Sequence, residues 1–217
     1  MGEAKDVRIY ITDDHGVVRQ GLRGIIDDTP GLAVCGEADD GRKALNWLSQ
    51  NSNCCDVVLL DLSMPGMDGL ELLKELKRIR PDLAVLVLTM HNDDQYAIRV
   101  IRSGAMGYLS KECSGDEIIE AIFTVASGNM YINDILSGIM SKMLDSKSVE
   151  ARHQLLSDRE FQVMKKLARG DKVTDIAREL ALSPKTISTY RTRIMEKMKF
   201  DTHADVFRYA SIHRLLD

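Results

Sequence analysis

Residues 57–69 read Val-Val-Leu-Leu-Asp-Leu-Ser-Met-Pro-Gly-Met-Asp-Gly. The apolar residues at the start of this stretch predict a short buried strand, which ends in a carboxylate, Asp61. Proline and glycine within Met64–Gly69 predict a tight loop after the strand. Apolar side chains then recur at helical spacing, at Leu70, Leu72, Leu73, Leu76 and Ile79. The stretch is therefore typical of one βα unit of a parallel sheet.

The same alternation of short apolar runs and amphipathic segments extends on both sides of this unit, through about residue 127. Strands are predicted at Val7–Ile11, at Ala33–Cys35 and slightly beyond, at Val57–Leu60, at Leu83–Leu88 and at Gly107–Leu109. A capping box, Ser114-Gly-Asp-Glu117, marks the start of the last helix. The pattern predicts an α/β domain of the flavodoxin-like (βα)5 type, for which we assume the strand order 2-1-3-4-5.

The candidate site follows from the residues that end the strands, because ligands of a doubly wound sheet bind beyond the carboxyl ends of its strands. These residues are Asp13 and Asp14, Asp61, Thr89 and Lys111. Three neighbouring carboxylates repel one another unless a cation lies among them, and an all-oxygen site suits Mg2+. With a hydroxyl and an ammonium group nearby, such a site can neutralise a phosphoryl group while Asp61 acts as the nucleophile.

The second part of the chain differs from the first in charge and in pattern. Residues 1–150 carry 15 Lys and Arg against 24 Asp and Glu, whereas residues 151–217 carry 14 against 9. A basic second part favours a polyanionic partner. Between the two parts, Ile132–Leu144 has the pattern of another helix and Asp145–His153 that of a polar linker. We predict an α/β domain at 1–127, a helical extension and linker at 128–154, and an all-α domain at 155–217.

Four helices are predicted from Leu155 onward. Ser157-Asp-Arg-Glu160 is a capping box at the start of the first, and Gly170 ends it. A short helix follows at Val173–Leu180. Ser183 as the cap and Pro184 at the first helical position begin the third helix, which runs to about Lys199, and the fourth begins near Thr202.

The third of these helices has two different faces. Ile187, Ile194 and Met198 form an apolar stripe. The opposite face is polar and partly basic, with Lys185, Ser188, Thr189, Thr192, Arg193 and Glu196. A face of this kind fits the major groove of double-stranded DNA, where short hydroxylated side chains reach bases or phosphates.

Residues 7–127 resemble a response-regulator receiver domain in four motifs: Ile11-Thr-Asp-Asp-His15, Leu60–Gly69, Leu88-Thr89 and Gly104-Ala-Met-Gly-Tyr-Leu-Ser-Lys111. The resemblance implies that Asp61 accepts phosphate from a sensor histidine kinase or a small acyl phosphate. It implies that Asp13, Asp14, Asp61 and the backbone carbonyl of Ser63 hold Mg2+, and that Thr89 and Tyr108 form a switch pair beside Lys111. One departure is Glu112, at a position where many receivers have a proline in a cis peptide bond.

The second part resembles the LuxR-type helix-turn-helix, through Leu156-Ser-Asp-Arg-Glu160, Ile176-Ala177 and Leu182–Ile194 followed by Lys197. The whole chain is similar to the NarL/FixJ class of response regulators. This resemblance implies that Pro184–Lys199 is the recognition helix and that the last helix contacts a second copy in an active homodimer. DNA contacts are expected from Lys185, Ser188, Thr189, Thr192 and Arg193. The departures are Lys172 and Val173, in place of a small cap residue and a polar neighbour, and Ser188, where Lys is common.

Composition and cysteine spacing bear on location. The four cysteines (Cys35, Cys54, Cys55 and Cys113) have neither the CxxC spacing of a metal site nor the pattern of a disulfide framework. The N-terminal residues lack the apolar core of an export signal, and no apolar run approaches the length of a membrane span. The sequence therefore predicts a reduced, cytoplasmic protein without a membrane partner.

Together these patterns predict a transcriptional regulator, not an enzyme, in which phosphorylation of Asp61 controls DNA binding and the phosphate is at most slowly lost by self-dephosphorylation. A second hypothesis is a Mg2+-dependent phosphohydrolase with an aspartyl nucleophile. Hydrolases of the haloacid dehalogenase type have a DxDxT motif after the first strand, whereas Asp13 and Asp14 are contiguous here. A third hypothesis is a DNA-binding protein whose receiver works without phosphorylation, against which the complete acidic site argues.

Overall fold

A computed structural model of the chain describes residues 6–90, 94–133, 136–138, 152–213 and 215–216. The chain folds as two compact units, Met1–Leu144 and Asp145–Asp217. The predicted helix Ile132–Leu144 lies largely outside the described residues, although residues 136–138 are helical. Most of the predicted linker also lies outside them. Among the residues described, no helix is both long and apolar enough to span a bilayer.

The first unit contains a parallel sheet of five strands in the order β2-β1-β3-β4-β5, which confirms the assumed order. The strands are β1 (Val7–Thr12), β2 (Leu32–Ala38), β3 (Val57–Asp61), β4 (Ala84–Thr89) and β5 (Gly107–Ser110). Every residue of β3 and of β4 is buried. Strands covered on both faces are continuous apolar runs instead of alternating patterns, so these two strands could be predicted from the sequence.

Helices cover both faces of the sheet: α1 (Gly16–Asp27), α2 (Gly41–Gln50), α3 (Gly69–Ile79), α4 (Asp94–Arg102) and α5 (Gly115–Ala126). One core cluster packs α2, α3 and α4 against the sheet, and a second packs α1 and α5 against it. The predicted capping box of Ser114 and Glu117 is present at the start of α5. Asp40 caps α2 by accepting from the amides of Arg42 and Lys43.

The second unit is helical, with a 3-10 turn (Arg152–Leu155) followed by α6 (Asp158–Arg169), α7 (Val173–Glu179), α8 (Pro184–Met198) and α9 (His203–Ile212). The predicted cap of Ser183 with Pro184 at the first helical position is present in α8. Gly170 ends α6 with a left-handed φ of 91°, a conformation that glycine adopts without steric cost. Lys172 precedes α7 and makes no side-chain cap.

The structure differs from the sequence analysis at His153, which the predicted linker included. His153 lies in the 3-10 turn and is 2% exposed. Its ring stacks on Phe161 with centroids 5.6 Å apart, and its Nδ1 lies 3.1 Å from the hydroxyl oxygen of Tyr209. Arg152–Leu155 therefore pack as part of the second unit.

Glu160 joins the start of α6 to α8. Its Oε2 accepts from the Ser157 amide at 2.8 Å, completing the predicted capping box, and from Lys197 Nζ at 2.6 Å. Burial tends to raise the pKa of Glu160, but the hydrogen bonds from Lys197 and Ser157 outweigh it and hold the pKa below its ordinary value. A carboxylate with a lowered pKa stabilises the fold above its unfolded pKa, and this contribution disappears as pH falls through the folded pKa.

We therefore expect Glu160→Gln to destabilise the second unit at neutral pH by about 1–3 kcal/mol. The deficit relative to the native chain should shrink as pH falls below the unfolded pKa of about 4.3. Amide hydrogen exchange in α6 and α8, read by mass spectrometry on the full chain, measures the loss of stability and its dependence on pH. Glu179→Gln is the matched control, because Glu179 pairs with Lys166 at 2.5 Å but its side chain is 62% exposed. A pH-independent deficit would show that the Glu160 charge is not responsible.

Candidate functional site

The ends of β1, β3, β4 and β5 bring the predicted site residues to one edge of the sheet. The register pairs Asp61 with Leu88 and Thr89 with Ser110, so the carboxyl ends of β3, β4 and β5 lie at similar height. Asp13 follows β1 directly, and its amide donates to the Ala38 carbonyl at the end of β2. The strand ends thus converge as the sequence analysis expected.

Lys111 joins two of the carboxylates. Its Nζ lies 2.6 Å from Asp13 Oδ2 and 2.9 Å from Asp61 Oδ2. The three side chains are 5%, 2% and 1% exposed, respectively. Buried ions are tolerated where opposite charges compensate them. Lys111 therefore holds the two carboxylates together at the centre of the site.

Four residues at this edge form a group that can bind a metal ion. One ligand atom from each of Asp13, Asp14, His15 and Asp61 lies within 4.8 Å of the others. Three of these residues were predicted, and His15 was not. His15 Nδ1 lies 2.8 Å from Asp14 Oδ1 and 3.2 Å from Asp13 Oδ1, and its side chain is 60% exposed.

The environment of the carboxylates favours a cation. Burial raises the pKa of Asp61 above its ordinary value, and the nearby Lys111 ammonium opposes this shift. Asp61 Oδ2 and Asp14 Oδ1 are buried and accept no hydrogen bond from the described residues. Their contacts are the ion pairs with Lys111, 2.9 Å from Asp61 Oδ2, and with His15, 2.8 Å from Asp14 Oδ1. Oxygens in this position have coordination capacity left for a hard cation such as Mg2+.

The loop after β3 is fixed against the backbone of Asp61. The Ser63 amide donates to Asp61 Oδ1 at 3.2 Å, and the Gly69 amide donates to the Leu62 carbonyl at 3.1 Å. A Cβ at Gly69 would lie 2.1 Å from the Asp61 carbonyl oxygen and 2.7 Å from Leu62 Cα. Only glycine, which has no Cβ, allows the backbone at residue 69 to lie this close to the backbone of Asp61 and Leu62. Gly66 supplies the sharp turn of the loop with a φ of +76°.

Thr89 and Tyr108, the predicted switch pair, lie on adjacent strands. Both are fully buried, Thr89 at the end of β4 and Tyr108 within β5. The Thr89 carbonyl accepts from the Lys111 amide at 2.8 Å, which ties the end of β4 to the lysine. No peptide bond among the described residues is cis, the Lys111–Glu112 bond included.

Sequence reasoning missed two residues that contact Asp13. The His15 amide donates to Asp13 Oδ1 at 2.8 Å, and Arg19 Nη1 donates to the Asp13 carbonyl at 2.7 Å. His15 is the N-cap of α1, and Arg19 follows in the first turn of this helix. The start of a helix directly after the Asp pair was the available signal for both contacts.

The polar face predicted for DNA contact is present on α8. Ile187, Ile194 and Met198 are fully buried, which confirms the apolar stripe. The predicted contact residues, all exposed on α8, are Lys185, Ser188, Thr189, Thr192 and Arg193. The structure thus leaves this basic and hydroxylated face accessible on the second unit.

A five-stranded parallel α/β unit with a carboxylate-lysine site, followed by a helical unit with an exposed basic helix, defines the class of two-part response regulators. Residues 9–123 match the family described as "Response regulator receiver domain". Residues 154–210 match "Bacterial regulatory proteins, luxR family". The chain belongs to the response-regulator family, with a receiver domain and a LuxR-type DNA-binding domain, and is a transcriptional regulator.

Relatives of similar length share this architecture. The chain is 38% identical to the response regulator UvrY of Escherichia coli strain K12 over 201 residues, covering 92% of this chain and 90% of UvrY. It is 35% identical to the response regulator GacA of Pseudomonas aeruginosa over 212 residues, covering 97% and 98% of the two chains. Both resemblances extend across the receiver and the LuxR-type domain.

A solved structure of RcsB from Salmonella enterica serovar Typhimurium is similar to the chain, with a TM-score of 0.62 and 28% identity. The match covers 95% of this chain and 99% of that one. That RcsB structure is described as bound to the promoter rprA in the presence of the phosphomimetic BeF3−.

Proposed function

We propose that Asp61 accepts a phosphoryl group from a sensor histidine kinase or a small acyl phosphate, and that this controls sequence-specific DNA binding by the second unit. The observation that carries the proposal is the placement of Asp61. Its carboxylate is buried, lies 2.9 Å from Lys111 Nζ, and belongs to the cluster that includes Asp13 and Asp14. A nucleophilic carboxylate next to compensating positive charge is the arrangement that phosphoryl transfer requires.

Asp13, Asp14, Asp61 and the Ser63 carbonyl are the groups that would hold Mg2+. Bound there, Mg2+ supplies positive charge to the phosphoryl oxygens. Lys111 pairs with the charge that remains on the transferred group. Asp61 attacks phosphorus, the bond from phosphorus to the donor breaks, and an aspartyl phosphate forms.

The phosphoryl group then acts on the switch pair. Thr89 moves its hydroxyl toward the new anion, and Tyr108 turns into the space that Thr89 leaves. This changes the surface around β4 and β5, and the local change in charge biases the second unit toward a DNA-binding homodimer. We assign the receiver to residues 1–127 and the DNA-binding domain to 155–217, and we place the protein in the cytoplasm, where its free cysteines stay reduced.

On the DNA, α8 enters the major groove. Lys185 and Arg193 contact phosphates or base edges, while Ser188, Thr189 and Thr192 face the groove. The solved complex of RcsB with a promoter supports DNA binding by a similar chain. A twofold dimer would bind two half-sites about 10 base pairs apart, or a multiple of that spacing.

Intact-protein mass spectrometry tests the phosphorylation step. The native chain, incubated with Mg2+ and a small acyl phosphate, should gain one phosphoryl group, whereas Asp61→Asn should gain none. Addition of a chelator should prevent the gain. Asp39→Asn is the control, because Asp39 also follows a strand but pairs with Lys43 on the exposed surface. A gain that persists in Asp61→Asn would place the phosphate elsewhere, and absence of any gain with acyl phosphate or kinase would leave a constitutive DNA-binding protein.

Mg2+ should also stabilise the first unit before any phosphorylation. A ligand that binds only the folded state at 100 times its Kd stabilises it by about 2.7 kcal/mol. The fluorescence of Trp47, the single tryptophan of the chain, reports unfolding of this unit. We expect the native midpoint of thermal unfolding to rise with Mg2+ concentration and that of Asp14→Asn to rise much less. An equal rise in both proteins would contradict a metal ion bound by Asp14.

A further inference from the structure

Three hydroxyl groups on the exposed face of α8 each donate a hydrogen bond to the backbone carbonyl four residues earlier. Ser188 Oγ donates to the Pro184 carbonyl at 2.9 Å. Thr189 Oγ1 donates to the Lys185 carbonyl at 3.0 Å. Thr192 Oγ1 donates to the Ser188 carbonyl at 3.2 Å. The hydroxyl protons are therefore directed into the helix backbone, away from an external ligand.

These bonds to the helix backbone limit the hydrogen bonds that the three side chains can make with a ligand. A hydroxyl has one proton and two acceptor lone pairs. While Ser188, Thr189 and Thr192 keep their bonds to the helix, their oxygens can only accept hydrogen bonds from outside. To donate to a ligand, each side chain would first have to give up its bond to a helix carbonyl. Glu196, exposed one turn after Thr192, is also an acceptor when ionised.

The donors of this face lie among these acceptors. Lys185 and Arg193 are exposed and carry only donor groups. They fit phosphate oxygens or the O6 and N7 acceptors of guanine. The hydroxyl groups and the basic groups therefore complement different partners on a duplex.

The base edges of the major groove also divide into hydrogen-bond donors and hydrogen-bond acceptors. The donors there are the N6 amino group of adenine and the N4 amino group of cytosine, and thymine adds a methyl group. We propose that Ser188, Thr189 and Thr192 recognise DNA by accepting hydrogen bonds from adenine and cytosine amino groups. The two threonine methyl groups are available for thymine methyls. This inference rests on the proposed role of α8 as the recognition helix.

The first experiment is selection from a random duplex library with the full-length, phosphorylated chain. Enrichment of a sequence supplies the probe for the second step. Absence of any enrichment, with the same binding by a Lys185→Ala and Arg193→Ala double variant, would overturn the proposed function, and the inference with it.

The second experiment changes single atoms in the enriched duplex. Each adenine in turn is replaced by purine, which lacks the amino group, and each cytosine by the pyrimidinone that lacks N4. Each guanine is replaced by 7-deazaguanine, which lacks an acceptor. Removing an amino group should weaken binding of the native chain by about 3- to 10-fold at one or more positions, the range for one hydrogen bond. At the same positions, removal of the amino group should not weaken DNA binding further in the variant that lacks the accepting hydroxyl, which is Ser188→Ala, Thr189→Val or Thr192→Val.

Thr124→Val is the matched control. Thr124 Oγ1 donates to the Glu120 carbonyl at 2.8 Å, the same bond four residues back, but on α5 of the first unit. This variant should keep the full dependence on amino groups. If the three α8 variants keep it as well, or lose their dependence on guanine N7 instead, the inference is wrong while DNA binding by α8 stands.

Discussion

Lys111→Met should destabilise the first unit by about 3–5 kcal/mol in the absence of a divalent cation, the usual cost of removing one partner from a buried ion pair. The substitution leaves Asp13 and Asp61 facing each other without the ammonium that lies within 2.9 Å of both. Methionine keeps most of the packing of the lysine chain, so the loss reports the charge. Urea unfolding followed by Trp47 fluorescence measures it, and Mg2+ should recover part of the deficit.

A double variant separates repulsion between carboxylates from lost packing. Asp61→Asn in the Lys111→Met background removes one of the two facing charges, so the double variant should be more stable than Lys111→Met alone. If the free-energy changes of the two single variants add up to that of the double variant within about 0.5 kcal/mol, the two sites are independent. That result would contradict the proposed charge compensation. Lys43→Met serves as the surface control: Lys43 pairs with Asp39 at 2.7 Å, but both side chains are more than half exposed. Its cost should be small, because an exposed ion pair is screened by solvent.

The arrangement of the acidic site was predictable because it depends on topology. Each strand that leads into the site is a short apolar run, and the polar residue that ends it is conspicuous. Parallel strands carry such residues to one edge whatever the details of packing. Asp61, Thr89 and Lys111 could therefore be placed together from the sequence once the strand order was assumed.

Residues whose role depends on the direction of a side chain were not predictable in the same way. Arg19 reaches the Asp13 carbonyl from the first turn of α1, and the amide of His15, the N-cap of that helix, donates to the Asp13 side chain. No strand pattern encodes that geometry. His153 was assigned to the linker because its neighbours in sequence are polar. Its burial comes from Phe161 and Tyr209, which lie far along the chain.

On the exposed face of α8, too, the sequence predicts which side chains are exposed but not the direction of their hydrogen bonds. Helical periodicity identified which side chains are exposed, but it cannot say whether a hydroxyl proton points outward or toward the helix. That distinction requires coordinates, because Ser and Thr choose between solvent and the carbonyl four residues back. It is also the distinction that separates recognition of base donors from recognition of base acceptors.

Gly69→Ala should destabilise the first unit by about 3 kcal/mol, at the upper end of the usual cost of overpacking. The φ of Gly69 is not in the left-handed region, so the requirement is for space and not for backbone conformation. The new methyl would lie 2.1 Å from the Asp61 carbonyl oxygen, and backbone atoms must move to make room. Because the displaced backbone carries Asp61, Mg2+ should also stabilise this variant less than it stabilises the native chain.

Gly24→Ala is the matched control for this prediction. Gly24 is exposed within α1, and a Cβ there would meet no atom within 4 Å. Alanine should raise stability at this position by about 0.5–1 kcal/mol, because glycine is unfavourable inside a helix. Urea unfolding followed by Trp47 fluorescence should thus give opposite signs for the same substitution at the two positions. A mild effect at Gly69 would mean that the loop after β3 can move without disturbing Asp61, and the fixed position of the phosphoacceptor would then need another cause.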